Sequence, residues 1–453
     1  MENLPEGWQL EQIENLCEFN PKHSKNYPDN LEISFIPMSA VDDITGTIQE
    51  YETRRLGKVR KGYTHFAEND VIFAKITPCM ENGKSAIAKN LKNKLACGST
   101  EFHVLRNLDV ILPEYLHPFL RQQSFRDTAA QAMTGVVGHR RVPKQFILNT
   151  EIPLPPLNEQ RRIVAKIEAL TARSRKAREA LDAIPALLEQ FRQSVLAAAF
   201  RGDLTADWRE QNPDVEWQQT TLNKVIKEKP RNGYSPRAVD YPTKVKSFSL
   251  SATTSGEFKA EHFKYVDQDI PKDSYLWLQP GDILIQRSNT LEYVGTSAIY
   301  TRNFNEFIYP DLIMKIQVRE ELAKPEYIHY LLSSKQTRDY FKANATGTAG
   351  NMPKINQKVV MNTPVLLPSI KEQSEIIHQI KKIFNTAYLI ENCFQQTEDD
   401  LTTLDQSILA KAFQGELVPQ DPNDEPASVL LERIQAERAK LNGKAKTRAK
   451  KKK

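Results

Sequence analysis

Apolar or small residues recur in alternating steps of four and three along two stretches of the chain. In the first stretch Ile163, Ile167, Leu170, Ser174, Ala177, Leu181, Ile184, Leu188, Phe191, Val195 and Ala198 form the seam. In the second, Ile376, Ile380, Ile383, Ala387, Ile390, Phe394, Thr397, Leu401, Leu404 and Ile408 form it in the same phase. A heptad seam kept for about five repeats predicts a coiled coil, and the matched phase predicts that the two stripes pair. Pro185 has no amide hydrogen and its ring crowds the preceding turn, so the first helix is expected to kink or split there. The heptad phase nevertheless survives across it. A whole folded unit joins the two helices, so loop length does not choose parallel or antiparallel pairing. Antiparallel pairing is the arrangement that puts the mixed units at opposite ends about a twofold axis.

Ahead of each stripe lie about 150 residues of mixed, loop-rich pattern. Short β-like runs are predicted at 70–76, 102–105, 281–286 and 312–318, bounded by Gly, Pro, Asn and Asp. One short helical stretch is predicted at 113–132 and again at 325–343. Each unit opens on a Trp-Gln pair, Trp8-Gln9 and Trp217-Gln218, followed by apolar residues (Ile13 and Leu16; Leu222 and Val225) spaced for a helical turn or two.

These patterns are one pattern stated twice. Asp70-Val-Ile-Phe-Ala-Lys75 returns 212 residues later as Asp282-Ile-Leu-Ile-Gln-Arg287, and Gly83-Lys-Ser-Ala-Ile-Ala88 returns as Gly295-Thr-Ser-Ala-Ile-Tyr300. One residue is then gained. At an offset of 213, Glu159-Gln160 matches Glu372-Gln373, and Phe200-Arg-Gly-Asp-Leu204 matches Phe413-Gln-Gly-Glu-Leu417. Solenoid units are far shorter, so this is a duplicated domain with its own connector. Two like units imply a pseudo-twofold molecule, which suits a twofold partner such as duplex DNA. About 40 helical residues at 1.5 Å each make a rod of roughly 60 Å, long enough to hold two reading heads about one DNA turn apart.

Composition changes this picture little. The 453 residues are 40% hydrophobic and 26% charged, ordinary values for a globular chain. No apolar run approaches a membrane span, and the first residues carry neither the basic nor the apolar segment of a signal peptide. Cys17, Cys79, Cys97 and Cys393 are scattered without a CxxC, which suits reduced thiols and argues against a zinc site. The net charge of +5 comes from Lys444, Lys446, Arg448 and Lys450, Lys451, Lys452 and Lys453; without these seven the balance is −2. A DNA-binding face must therefore be local, and the tail is expected to be a disordered polycation or solubilising segment.

Catalytic signatures fail one by one. Gly83-Lys84-Ser85 lacks the earlier glycine of a phosphate loop, since Pro78 stands there. Pro310-Asp311 is followed by Ile313-Met314-Lys315 rather than a nuclease's acidic-x-Lys, and Leu154-Pro155-Pro156-Leu157 lacks the flanking residues of an amino-methyltransferase loop. The eight histidines are dispersed.

Candidate DNA contacts fall at equivalent places in the two copies. Lys75 and Arg287 end a predicted strand, followed by Thr77 in one copy and by Ser288 and Asn289 in the other. Such groups donate to phosphates or to base edges. The loop Thr134-Gly-Val-Val-Gly-His-Arg-Arg141 supplies His139, Arg140 and Arg141, then Lys144. Its counterpart, 346–354, supplies Asn351 and Lys354, then Asn356, with His139-Arg140-Arg141 set against Asn351-Met352-Pro353. Lys84 and Tyr293 complete the set. Each position could equally be a solvated strand end or turn.

The order of mixed unit, Pro-rich stop (Ile152-Pro-Leu-Pro-Pro-Leu-Asn-Glu-Gln160; Val365-Leu-Leu-Pro-Ser-Ile-Lys-Glu-Gln373), long helix and Phe-x-Gly-Asp/Glu-Leu, stated twice, closely resembles the specificity (S) subunit of type I restriction–modification systems. The opening Leu4-Pro-Glu-Gly-Trp8 and the basic tail look like that family too, and the likeness covers essentially the whole chain. It implies an α+β protein with two mixed α/β target recognition domains joined by two long antiparallel coiled-coil helices. The expected division is recognition domain 1 at 1–155, spacer helix 1 at 156–205, recognition domain 2 at 206–368, spacer helix 2 with a C-terminal helix at 369–441, and a basic tail at 442–453. Each recognition domain would read half of a bipartite, asymmetric target in double-stranded DNA. The helices would set the gap and dock two methyltransferase (M) subunits, and the assembly would recruit the restriction/translocase (R) subunits. S-adenosylmethionine, ATP and Mg would bind those partners, with no cofactor, metal or catalytic residue on this cytoplasmic, non-catalytic chain. The competing readings are a coiled-coil scaffold without sequence-specific DNA binding, and an enzyme with a divergent site.

Overall fold

The computed structural model describes residues 4–136, 138–213, 216–347 and 352–437. These divide into two units, Met1–Leu181 with Gln396–Lys453, and Asp182–Gln395. Each unit takes one mixed head and helical segments from both repeats.

The head of the first unit holds two four-stranded sheets. The first runs Cys17–Phe19, Phe102–Asn107, Val71–Ala74, Ser85–Ile87, antiparallel throughout. Val71–Ala74 is buried along its whole length, as its unbroken apolar run requires. The second sheet runs Glu52–Arg55, Glu32–Ile36, Leu95–Gly98, Thr64–Ala67, with a parallel pair at its centre. Gln9–Gln12 pairs with Glu151–Leu154 and ties the two ends of the head together. The second unit repeats the plan. Its first sheet is Arg231–Asn232, Ile313–Ile316, Ile283–Gln286, Ser297–Ile299, its second is Ala238–Val239, Phe263–Val266, Val245–Phe248, Phe307–Ile308, and Gln218–Thr221 pairs with Pro364–Leu367. The four strands expected from sequence all lie in the first sheets. The turns expected after the Trp-Gln pairs are Ile13–Leu16 and Leu222–Val225, with all four apolar residues buried.

The helical stretch expected at 113–132 is two helices, Pro113–Arg121 and Gln123–Ala132, with Gln122 extended between them. The break lets Phe119 and Phe125 both turn into the core, with ring centroids 5.7 Å apart. The second copy breaks between Pro325–Ser333 and Lys335–Ala343, where the Ser334 hydroxyl accepts from the Thr337 amide and caps the new helix.

The long helices are α1 (Leu157–Leu181), α2 (Ile184–Arg201) and α3 (Ile370–Gln414). Pro185 sits in the first turn of α2, where a missing amide hydrogen costs nothing, so the first spacer is split rather than kinked. The pairing is antiparallel in each unit. In the first, Arg178 reaches Asp405 at 2.7 Å and Glu398 at 3.6 Å, while Ile163 and Ile167 pack with Ile408, Ala412 and Phe413. In the second, Arg192 pairs with Glu391 at 2.8 Å and Arg209, beyond α2, with Glu372 at 2.7 Å. Gly202 ends α2 at φ +88° and Gly415 follows α3 at +77°, the left-handed conformation that closes a helix.

Each head shares one apolar core with its helices. Trp8, Leu16, Tyr115 and Leu116 pack with Ile163, Ile408 and Phe413; Leu222, Tyr327 and Ile328 pack with Val195, Ile376 and Ile380. The repeated Glu-Gln pair fastens this junction. Gln160 accepts from the Leu112 amide at 2.8 Å and donates to the Val110 and Pro155 carbonyls at 3.1 Å each. Gln373 makes the same three bonds, to Lys324, Leu322 and Pro368. Glu159 takes the Trp8 indole N–H, and Glu372 that of Trp217; burial pushes the Glu159 carboxyl up from its ordinary value. The heptad seam is not buried throughout. It is buried near the heads, but Phe191, Ile390 and Leu404 are 43–49% exposed. Among the described residues no helix is long and apolar enough to cross a membrane.

Candidate nucleic-acid interface

The candidate residues gather where the Val71–Ala74 strand leaves the first sheet. The chain returning from the 134–141 loop pairs with that strand end. The Val142 amide donates to the Lys75 carbonyl at 2.9 Å, and the Thr77 amide to the Arg140 carbonyl at 3.1 Å. Thr134 and Arg141 exchange backbone hydrogen bonds of 3.0 and 2.8 Å, closing the loop as a hairpin. Gly135 holds φ +124°, with the His139 carbonyl 2.9 Å from where a Cβ would stand, so this turn requires glycine.

The second unit builds the same frame bond for bond. Ile355 N–H meets the Arg287 carbonyl at 2.9 Å, Asn289 N–H meets Pro353 at 3.4 Å, and Thr346 and Lys354 exchange bonds of 2.8 and 2.9 Å. This corrects the pairing of the two loops. The backbone sets Arg141 against Lys354, Arg140 against Pro353 and His139 against Met352, one residue later than direct reading at the earlier offset. The residue gained between the repeats lies inside the second loop.

The side chains differ on this common frame. In the first head Arg141 is exposed and forms a two-bond pair with Glu101, at 2.9 Å from Nε and 2.8 Å from Nη2. Those bonds hold the Glu101 carboxyl below its ordinary value. Arg140 lies 3.5 Å from Glu81. Lys144 is exposed and stands 5.4 Å over the Phe19 ring, and His139 is exposed at the tip. Thr77 turns its hydroxyl to the Met133 sulfur at 3.3 Å, and Lys84 turns inward to the Val41 carbonyl at 2.8 Å. In the second head Lys354 is exposed, and its ammonium makes no ion pair among the described residues. Asn289 is held by Gln286 at 2.6 Å. Arg287 Nε and Ser288 Oγ are buried without a partner among the described residues, an arrangement that calls for an explanation. Tyr293 is half-buried. Asn356 caps the Gln357–Met361 helix through the Val359 amide. Asn351 and the 442–453 tail lie outside the described residues.

Sequence reasoning missed Glu101, Glu81, Phe19 and Gln286. Gln286 was within reach, since it sits inside the repeated strand. Glu101 and Phe19 come to the loop only through strand pairing across the sheet, which no local period announces.

His23, His65 and Cys97 approach one another closely enough to suggest a metal. Three of the four histidine ring nitrogens already carry hydrogen bonds. His65 accepts the His23 amide at 3.1 Å through Nδ1 and bonds the Arg60 carbonyl through Nε2, while His23 Nε2 bonds the Ala96 carbonyl at 2.8 Å. Burial pushes the Cys97 thiol up to about 12. The cluster is a hydrogen-bonded part of the core.

The family described as the type I restriction modification DNA specificity domain matches residues 5–183 and again 215–397. The chain belongs to this family. Among relatives of this specificity family, the EcoKI specificity subunit of Escherichia coli K12 is 28% identical over 472 residues, covering 99% of each chain. The StySPI specificity subunit of Salmonella potsdam is 27% identical over 470 residues, again 99% of each. The Escherichia coli EcoAI specificity subunit reaches 42% over 168 residues, 37% of this chain and 28% of its own. A chain from a structural study of complex assembly and conformational transition of the type I R-M system superposes with TM-score 0.71 at 22% identity, covering 92% of this chain and all of that one. The HsdS subunit of Thermoanaerobacter tengcongensis superposes at 0.51 and 22%, covering 91% and 98%. At that identity the structures establish the shared fold of the specificity family.

Proposed function

We propose that this chain directs a type I restriction–modification assembly to DNA as its sequence-reading subunit. Each head reads one half of a bipartite, asymmetric duplex target, and the long helices set the gap between the halves. One observation carries the reading: the strand-end and hairpin frame is built twice with the same backbone bonds, while the side chains on it differ. A kept frame with changed donors is what two readers of different half-sites need, because base edges are distinguished by donor and acceptor pattern. Lys75, His139, Arg140, Arg141 and Lys144 are the contacts of the first head. Arg287, Asn289, Tyr293 and Lys354 are those of the second, while Ser288, also expected there, is buried.

Leu187, Phe191, Tyr388, Leu389 and Ile390 are exposed apolar side chains on the helices that carry the Arg192–Glu391 pair. Large exposed apolar side chains on these helices support the docking of methyltransferase subunits on them, with restriction subunits recruited to the assembly. S-adenosylmethionine, ATP and Mg then act on those partners, and this chain takes no catalytic part in a cytoplasmic complex. The test is an exchange of 206–368 for the corresponding segment of a relative with a different target. The assembled methyltransferase then changes one half of its methylated sequence and keeps the other. A change in both halves, or in neither, overturns the reading.

A further inference from the structure

Arg141 has five N–H donors in a rigid plane. Nε and one Nη2 hydrogen go to Glu101, and one Nη1 hydrogen goes to the His139 carbonyl at 3.2 Å. One hydrogen on Nη1 and one on Nη2 remain and have no acceptor among the described residues. The Arg141 side chain is 45% exposed and that of Glu101 is 25% exposed. Glu101 thus grips the guanidinium from its Nε–Nη2 side and fixes its plane, leaving a donor on each terminal nitrogen for an incoming group.

Charge decides what that group is. Phosphate attraction scales with unneutralised positive charge, and the Glu101 carboxylate cancels that of Arg141. What remains is geometry: two donors on neighbouring nitrogens of a fixed plane, suited to two acceptors on one neutral edge, the N7 and O6 of guanine in the major groove. Lys144, which is exposed and makes no ion pair among the described residues, is the better phosphate contact in the same head. At the equivalent position of the second head, Lys354 has no fork and makes no ion pair among the described residues.

Resting on the reading of the heads as half-site readers, we propose that Arg141 recognises a guanine in the half-site of the first head, with Glu101 as its positioning residue. The same frame position in the second head, Lys354, holds the phosphate backbone.

The experiment uses the full chain assembled with its methyltransferase partner, and duplexes in which each base pair of the methylated target is varied in turn. Arg141→Lys keeps the charge and an ion pair with Glu101 but removes the fork. It is expected to weaken preference for guanine at one position of one half-site, by up to roughly 150-fold in discrimination. Glu101→Gln is expected to weaken preference at that same position and no other, with melting temperature followed in parallel. Lys354→Gln is expected to lower methylation of all duplexes alike and to flatten the salt dependence, with no change in base preference. If the target is bipartite but Arg141→Lys lowers every duplex equally, or changes none, this inference fails and the two-headed reading stands. If the unaltered complex shows no bipartite preference, the two-headed reading itself fails. Because Arg141 is exposed, Arg141→Lys keeps the test decisive even where Glu101→Gln unfolds the head.

Discussion

Replacing Gln160 by Leu tests how each head is fastened to its helix. The amide is fully buried and makes three hydrogen bonds, to the Leu112 amide and to the Val110 and Pro155 carbonyls. Leucine fills nearly the same space but strands one buried N–H and two buried carbonyls. A stranded buried group costs about 1–3 kcal/mol, less for a carbonyl that can find a second donor, so the sum is about 4 kcal/mol. In a unit of this size that corresponds to a fall in Tm of roughly 8–16 °C. The assay is thermal unfolding of the intact chain by far-UV circular dichroism, with Gln145→Ala as a surface control expected within about 0.5 kcal/mol. Gln373→Leu, which cuts the same three bonds in the other unit, is expected to match it. A fall of less than about 2 °C in both variants would refute the view that the Glu-Gln motif is a buried fastener.

Three further outcomes follow from the same structure. Asp70 is buried and forms a two-bond pair with Arg106 at 2.8 and 2.7 Å; Asp70→Asn is expected to cost about 3–5 kcal/mol, seen as a lower urea midpoint, and an unchanged midpoint counts against the pair. Burial holds the His117 imidazole down at about 3 and His103 at about 4, from an ordinary 6.5. The unfolded chain therefore takes up protons below 6.5 that the fold refuses, so stability is retained above pH 6.5 and falls as pH drops towards 4; urea midpoints at pH 7.5 and 5.0 check the sign, and a higher midpoint at pH 5.0 contradicts it. Deleting 442–453 removes seven positive charges. It is expected to reduce the salt slope of non-specific DNA binding by up to about 6 while the methylated sequence stays the same; a changed sequence would give the tail a reading role.

The long helices were the most legible part of the chain, because one 3.5-residue period repeats over many turns and Pro185 marks its own break. The first sheets were legible through the duplicated Asp-apolar runs. The second sheets were not, since strands such as Glu32–Ile36 and Leu95–Gly98 are short and owe their place to a parallel partner about 60 residues away. The exposed Phe191 and Ile390 break the seam for a reason no heptad count can show, since two helices alone cannot cover every apolar position. At the candidate interface, the strand end and the basic loop were visible as repeats. The true pairing of Arg141 with Lys354 was not, because a single inserted residue is silent until backbone hydrogen bonds fix the register. Glu101 was invisible for a similar reason: its role exists only once the sheet brings it beside Arg141.

The central claim is that two heads on one chain read two separate half-sites. The direct measurement is a genome-wide map of methylated bases in cells carrying the complete system, with and without this chain. The account predicts one motif made of two short defined halves separated by a fixed number of unspecified base pairs, and its disappearance when the chain is removed. A single unbroken motif, or methylation that persists without the chain, would contradict it.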